Sequence, residues 1–297
     1  AGFAADQSGI PGTASLAMSM MDEGTKTKDA LQITEELQNL GATLNTSANL
    51  DMATVSLSAL KSNLDPSLAI FSDVILNPSF PDNELERLRK QKMIQIQQEK
   101  ASPLQMGLRV VPRLIYGENH AYGLPFSGSG YESTIMKITK NDLEKFHNTW
   151  FKPNNSAMVV VGDITLDEAK AKLEKLFKGW KSGDVPGKNI GEVSLPLKSV
   201  IYLMDRPGSQ SSIIFGAQVA PPSGDKDNIA IEAMNDIIGG TFTSRINMNL
   251  REAKHWSYGS GSFISGAKGQ RPYFFYGLVQ TDKTSESVAE ILRETTE

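Results

Sequence analysis

The sequence contains no cysteine. Disulfide frameworks, cysteine-zinc sites and thiol catalysis are therefore excluded, while the compartment stays open. Histidine is scarce: His120, His147 and His255 are the whole complement. None has another histidine at helical ligand spacing, so the usual zinc motifs are absent. Apolar runs are short, and none approaches the roughly 20 residues that a membrane-spanning helix needs. No signal peptide is visible. The net charge is slight, −4 from 30 Lys+Arg against 34 Asp+Glu. Nothing in that balance builds a basic face for phosphates, so no nucleic-acid partner is expected. A G-x-S-x-G elbow and a Walker loop are both missing. The glycines around Gly259 and Gly261 do not follow the dinucleotide spacing, and they open a strand rather than a helix.

What is present is an ordinary globular composition over 297 residues, 39% hydrophobic and 22% charged. That length suits two domains with a core each. Periodicity predicts a helix with Leu16, Met18, Met20 and Met21, ended by Gly24, and a second from about Asp29 to Leu40, closed by Gly41. Thr43–Ser47 and Met52–Leu60 read as antiparallel strands. Helices follow over Leu64–Leu76, Pro81 to about Lys100, Leu104–Tyr116, Asp142–Phe151 and Leu166–Trp180, with Ala157–Val161 as a buried strand. After a Gly/Pro-rich stretch the pattern restarts. Val200–Leu203, Ser211–Val219, Tyr258–Ser265 and Tyr273–Thr281 read as strands, Asn228–Ile238 and Thr243–Ala253 as helices.

The expected class is α+β: two related domains, each an antiparallel-rich sheet with helices packed on one face. Their expected bounds are 1–185 and 198–297, joined by a linker at 186–197. Ala1–Asp6 reads as the end of a strand and a turn, and Val288–Glu297 stops inside a helical pattern, so both ends read as cut. His120 lies in a loop and His147 on a helix; all three histidines read as structural.

Gly12-Thr13-Ala14-Ser15-Leu16-Ala17-Met18-Ser19-Met20, followed by Gly24-Thr25, carries more. It resembles, without a gap, the zinc-site helix G-T-A-H-F-L-E-H-M…G-T of the pitrilysin, insulin-degrading enzyme and mitochondrial processing peptidase family. The family's two metal-binding histidines fall on Ser15 and Ser19, and its catalytic glutamate falls on Met18. A Ser hydroxyl is a poor neutral zinc ligand, and a Met side chain cannot accept a proton. The family's third ligand, a glutamate about 75 residues on, lands near Gln95 to Glu99. Glu99 reads as a solvated helix charge, and as a remnant ligand only within the resemblance.

Other stretches agree in order. Tyr116-Gly117-Glu118-Asn119-His120-Ala121-Tyr122-Gly123 resembles the H-P-Y-G loop, and Lys152-Pro153-Asn154-Asn155 with Val159-Val160-Val161-Gly162-Asp163 resembles the P-N-N…V-G-D strand entry. Gly239 to Gly259 resembles the segment with the family's arginine–tyrosine pair, here Arg251 and Tyr258. On residues alone Arg251 reads as a surface cation paired with Glu252, and Tyr258 as a half-buried strand residue. The resemblance implies instead that both contact substrate, donating hydrogen bonds near the scissile carbonyl.

It further implies a non-catalytic subunit that binds no metal itself. A homologous zinc-bearing partner would supply the zinc, and a peptide would bind by strand addition. A scaffold subunit like the processing-peptidase-related proteins of respiratory complexes is the alternative. An autonomous zinc endopeptidase would need a site the sequence does not contain. Bacterial relatives with this subunit split imply a periplasmic location.

Overall fold

The computed structural model of the chain describes residues 1–194, 200–204 and 211–296. Their contacts form two units, Ala1–Gln98 with Phe126–Asn189, and Glu99–Pro125 with Ile190–Glu297. Residues 99–125 thus belong with the C-terminal segment, a grouping that a linear division near 186–197 does not contain; 195–197 lie outside the described residues.

The chain runs through α1 (Thr13–Met20), α2 (Ala30–Asn39), β1 (Thr43–Ala48), β2 (Ala53–Ser58), α3 (Leu64–Leu76), α4 (Asp82–Ala101), α5 (Pro103–Tyr116), α6 (Glu132–Ile135), α7 (Lys140–Trp150) and α8 (Leu166–Phe177). Local chemistry starts and stops these helices. Asp29 and Gln32 form a capping box on α2, as Thr139 and Asp142 do on α7, and Thr165 caps α8. Pro103 opens α5, where its missing N–H costs nothing.

In the first unit β1 and β2 form a hairpin, Thr43 opposite Ser58 and Ala48 opposite Ala53. α1 packs on β1 and α7, and its side chains join Ile33, Ile70, Phe71 and Val74 in one core. Arg89 is buried on α4 and donates to the carbonyls of Ile135 and Ile138, holding the end of α6. Gly12, the residue before α1, has φ 100°, and an added Cβ would sit 2.5 Å from Ile135 Cδ1. Gly12→Ala combines backbone strain with overpacking, so it is expected to cost about 1–3 kcal/mol in chemical denaturation.

The second unit adds β3 (Ser211–Ala220), α9 (Asn228–Asn235), a π-helical segment Asp236–Gly240, α10 (Arg245–Asn247), a second π segment Met248–Ala253, β4 (Ser257–Ile264), β5 (Arg271–Gln280) and α11 (Thr284–Thr296). Its sheet is antiparallel in the order β3-β5-β4. On β5, Tyr273, Phe275 and Val279 pack with Ile246, Leu250 and Ile291. Phe274, by alternation on the opposite face, meets Phe215 and Phe263 at ring distances of 5.1 Å.

α5 rests on β3, with Gly107 against the Phe215 ring. The loop after α5 is tied down as well. Tyr116 Oη donates to the Gln270 carbonyl at 2.9 Å, and Gly269 N–H donates to Tyr122 Oη at 2.9 Å. His120 Nε2 pairs with the Gly191 carbonyl at 3.0 Å. These bonds explain why residues 99–125 group with the C-terminal segment.

The chain is therefore mixed α and β, with small antiparallel sheets in two units. Three local expectations fail. Ala157–Val161 is neither buried nor a strand: Val159 and Val161 are 85% and 91% exposed. Val200–Leu203 is likewise exposed and joins no strand pair among the described residues. Both have strand-like composition, but a ladder needs a neighbour, and none lies beside them among the described residues. Phe3–Ser8 is a 3₁₀ helix rather than a strand end, because the Asp6 side chain draws it onto the start of α1.

Candidate functional site

α1 is buried nearly all round. Thr13, Ala14, Leu16, Ala17, Met18 and Met20 are buried, and only Ser15 and Ser19 reach solvent. Spaced four apart, these two share one face of the helix. The two positions that match the family's histidines are thus the accessible ones. Met18, at the position of the general base, is 1% exposed and belongs to the core.

A residue on α4 completes this surface. Lys92 Nζ donates to Ser15 Oγ at 2.9 Å and to Gln95 Oε1 at 3.0 Å. Ser19 Oγ turns back and donates to the Ser15 carbonyl at 3.1 Å. Two hydroxyls, an amide and an ammonium line this surface, while the Met18 thioether is buried in the core. Zinc takes imidazole, carboxylate or thiolate ligands, so these residues do not fit it. Among the described residues no three His, Cys, Asp or Glu side chains converge as a metal site. In the sequence Lys92 is one of several charges on a polar helix. Its signal was helical spacing: it lies three residues before Gln95, on the same face of α4.

Glu99 is neither a remnant ligand nor a solvated charge. It is buried and ion-paired with Arg109, itself buried on α5. Beneath the site lies a second unforeseen carboxylate. Asp6 Oδ2 and Oδ1 accept from the backbone N–H groups of Gly12 at 2.7 Å and Ala14 at 2.8 Å, satisfying donors at the start of α1. Complete burial pushes Asp6 up to about 7, although both hydrogen bonds pull the other way.

In the second unit Arg251 lies in the π segment Met248–Ala253. Its guanidinium stands 4.5 Å over the Phe242 ring, and its Nε is 3.5 Å from Glu252. Tyr258 is not half-buried, as a regular strand position would be, but 99% exposed. The strand is irregular between Ser257 and Gly259, where Ser257 Oγ bonds both the N–H and the carbonyl of Gly259. A bulge of this kind unpairs one residue and re-aims its side chain. Among the described residues no hydrogen bond joins Arg251 to Tyr258.

Each histidine ring pairs with a backbone carbonyl. Burial lowers the pKa of His120 and of His147, whose Nε2 pairs with the Ile75 carbonyl at 2.8 Å. His255 is exposed, with φ 59°, and its Nδ1 lies 3.2 Å from the Arg251 carbonyl.

Residues 1–121 match the family model described as insulinase, peptidase family M16, and residues 137–297 match the peptidase M16 inactive domain. The crystal structure of a peptidase M16 inactive domain from Pseudomonas fluorescens superposes with a TM-score of 0.91 at 26% identity, over 99% of this chain and 71% of that one. An uncharacterized zinc protease of Rickettsia felis is 24% identical over 281 residues, 93% of this chain and 66% of that protein. The non-peptidase homolog YmxG of Helicobacter pylori is 21% identical over 276 residues, 93% of this chain and 62% of that protein. The chain thus spans about two thirds of the length of these curated relatives. With one family model on each half and the inactive-domain model alone covering more than half of the residues, the chain belongs to the peptidase M16 family.

Proposed function

We propose that this chain is the non-catalytic subunit of a heterodimeric zinc endopeptidase. A homologous partner carries the zinc, and this chain contributes Arg251 and Tyr258 to binding of the peptide. The observation that carries the reading is an asymmetry between the two halves. Ser15, Met18, Ser19 and Lys92 leave no place for zinc or for a base, whereas Tyr258 stands wholly in solvent and Arg251 is held over Phe242. A guanidinium and a phenol suit a carbonyl oxygen that gains negative charge during acyl transfer. The match to an inactive domain and the name of the Helicobacter relative support the same reading. We place the complex in the periplasm, on the resemblance to exported bacterial relatives.

The test is reconstitution with a homologue bearing an intact H-x-x-E-H motif, assayed on an unstructured peptide. Arg251→Ala is expected to lower cleavage by the mixture about 100-fold, the typical effect of losing one donor to a developing oxyanion. Undiminished cleavage rejects the role given to Arg251. Absence of any activity gain with such partners favours a scaffold subunit instead.

A further inference from the structure

The surface where the family's zinc belongs holds a cation already. Lys92 reaches from α4 to Ser15 on α1, and its ammonium also bonds Gln95, one of the positions toward which the family's third ligand falls. Ser15 Oγ and Gln95 Oε1 are both oxygens, and both serve as acceptors for the ammonium donor. A metal gripped by side chains at 15, 19 and 95 would share its coordination space with Nζ. A fixed positive charge at that range repels a divalent ion strongly.

We infer that Lys92 bars metal from this site, as a change separate from the loss of the ligands. Ser15, Ser19 and Gln95 withdraw the attraction for zinc, and Lys92 adds a repulsion. Lys92 also does what a shared metal does mechanically: it cross-links α1 to α4, here through a hydrogen-bonded ammonium that needs no cofactor. Restoring the ligands alone therefore does not restore the metal. This inference needs no partner subunit and does not rest on the role proposed for Arg251.

The experiment compares Ser15→His/Ser19→His/Gln95→Glu with and without Lys92→Met. Zinc alone is the probe, titrated against a chelating dye after the fold is checked by circular dichroism. The form with Met at 92 is expected to bind zinc at least about 100-fold more tightly than the form that keeps Lys92. Affinities within about threefold of each other, or no binding by either form beyond the unmodified chain, overturn the inference.

Should the triple background fail to fold, Ser15→His/Ser19→His changes only the two solvent-reaching positions of α1. Zinc is then expected to raise the melting temperature of that pair only when Lys92 is replaced. An equal rise with Lys92 in place overturns the inference.

Discussion

Arg109→Leu is expected to destabilise the second unit by about 3–5 kcal/mol, the usual cost of removing one partner of a buried ion pair. Glu99 and Arg109 side chains are 7% and 6% exposed, one near the end of α4 and the other on α5. Their attraction offsets the desolvation of both. Removing the guanidinium leaves the carboxylate buried without it. Glu99→Met with Arg109→Leu removes both charges and is expected to recover most of the loss, because a packed apolar pair is often as stable as a buried ion pair. Denaturant midpoints of the two single variants and the double variant measure this. A loss below about 1 kcal/mol for Arg109→Leu, typical of exposed pairs, shows that the contact is not buried in solution.

Asp6 carries the second large effect, and its sign depends on pH. The group titrates at about 7 in the folded chain, far above the ordinary range for a carboxyl. Below about pH 4 it is protonated whether folded or not, and its contribution to stability is complete. As pH rises to about 7 the unfolded chain gives up the proton and the folded chain keeps it, so stability falls, by up to about 4 kcal/mol from this residue. Above about pH 7 the contribution is flat.

Asp6→Asn removes the titration and keeps the shape, but an amide nitrogen cannot accept from Gly12 or Ala14. One N–H at the start of α1 then lacks its acceptor, at a cost of about 1–3 kcal/mol. The native chain is therefore expected to exceed Asp6→Asn in stability by about 1–3 kcal/mol near pH 4, to lose about 4 kcal/mol relative to it as pH rises, and to be the less stable of the two by pH 8. A difference that does not change with pH defeats the assignment.

Much of the fold is legible in the sequence wherever a single element decides its own structure. Asp29 announces a helix that begins where it stands, the helix read from Leu166 starts there, and Val55 and Leu57 alternate as β2 requires. What needs a partner is less legible. Val159 and Ile201 have the side chains of strand residues, yet strand formation depends on a neighbour that composition does not reveal. Asn228–Ile238 reads as one helix but changes to π winding at Asp236, where Gly239 must pass close to Ser262 on β4.

The site shows the same divide. Ser15, Met18 and Ser19 are identified by their frame within one helix, whereas Lys92 stands 77 positions from Ser15 and acquires meaning only when α4 lies beside α1. Tyr258 is exposed because of a bulge, and no residue type announces a bulge. Glu99 looked like a surface charge because its partner, ten residues away, belongs to another helix.

The interleaving of the two units bears on the order of events during synthesis. A ribosome releases residues 1–98 first, but their unit is incomplete until α6, α7 and α8 have emerged, up to Asn189. Residues 99–125 must wait longer, since β3, β5 and the 266–270 turn that hold them come last. Neither unit is a continuous stretch of gene. A fragment cut near residue 185 carries α5 away from the sheet it packs on, so folding of the second unit waits for the final hundred residues.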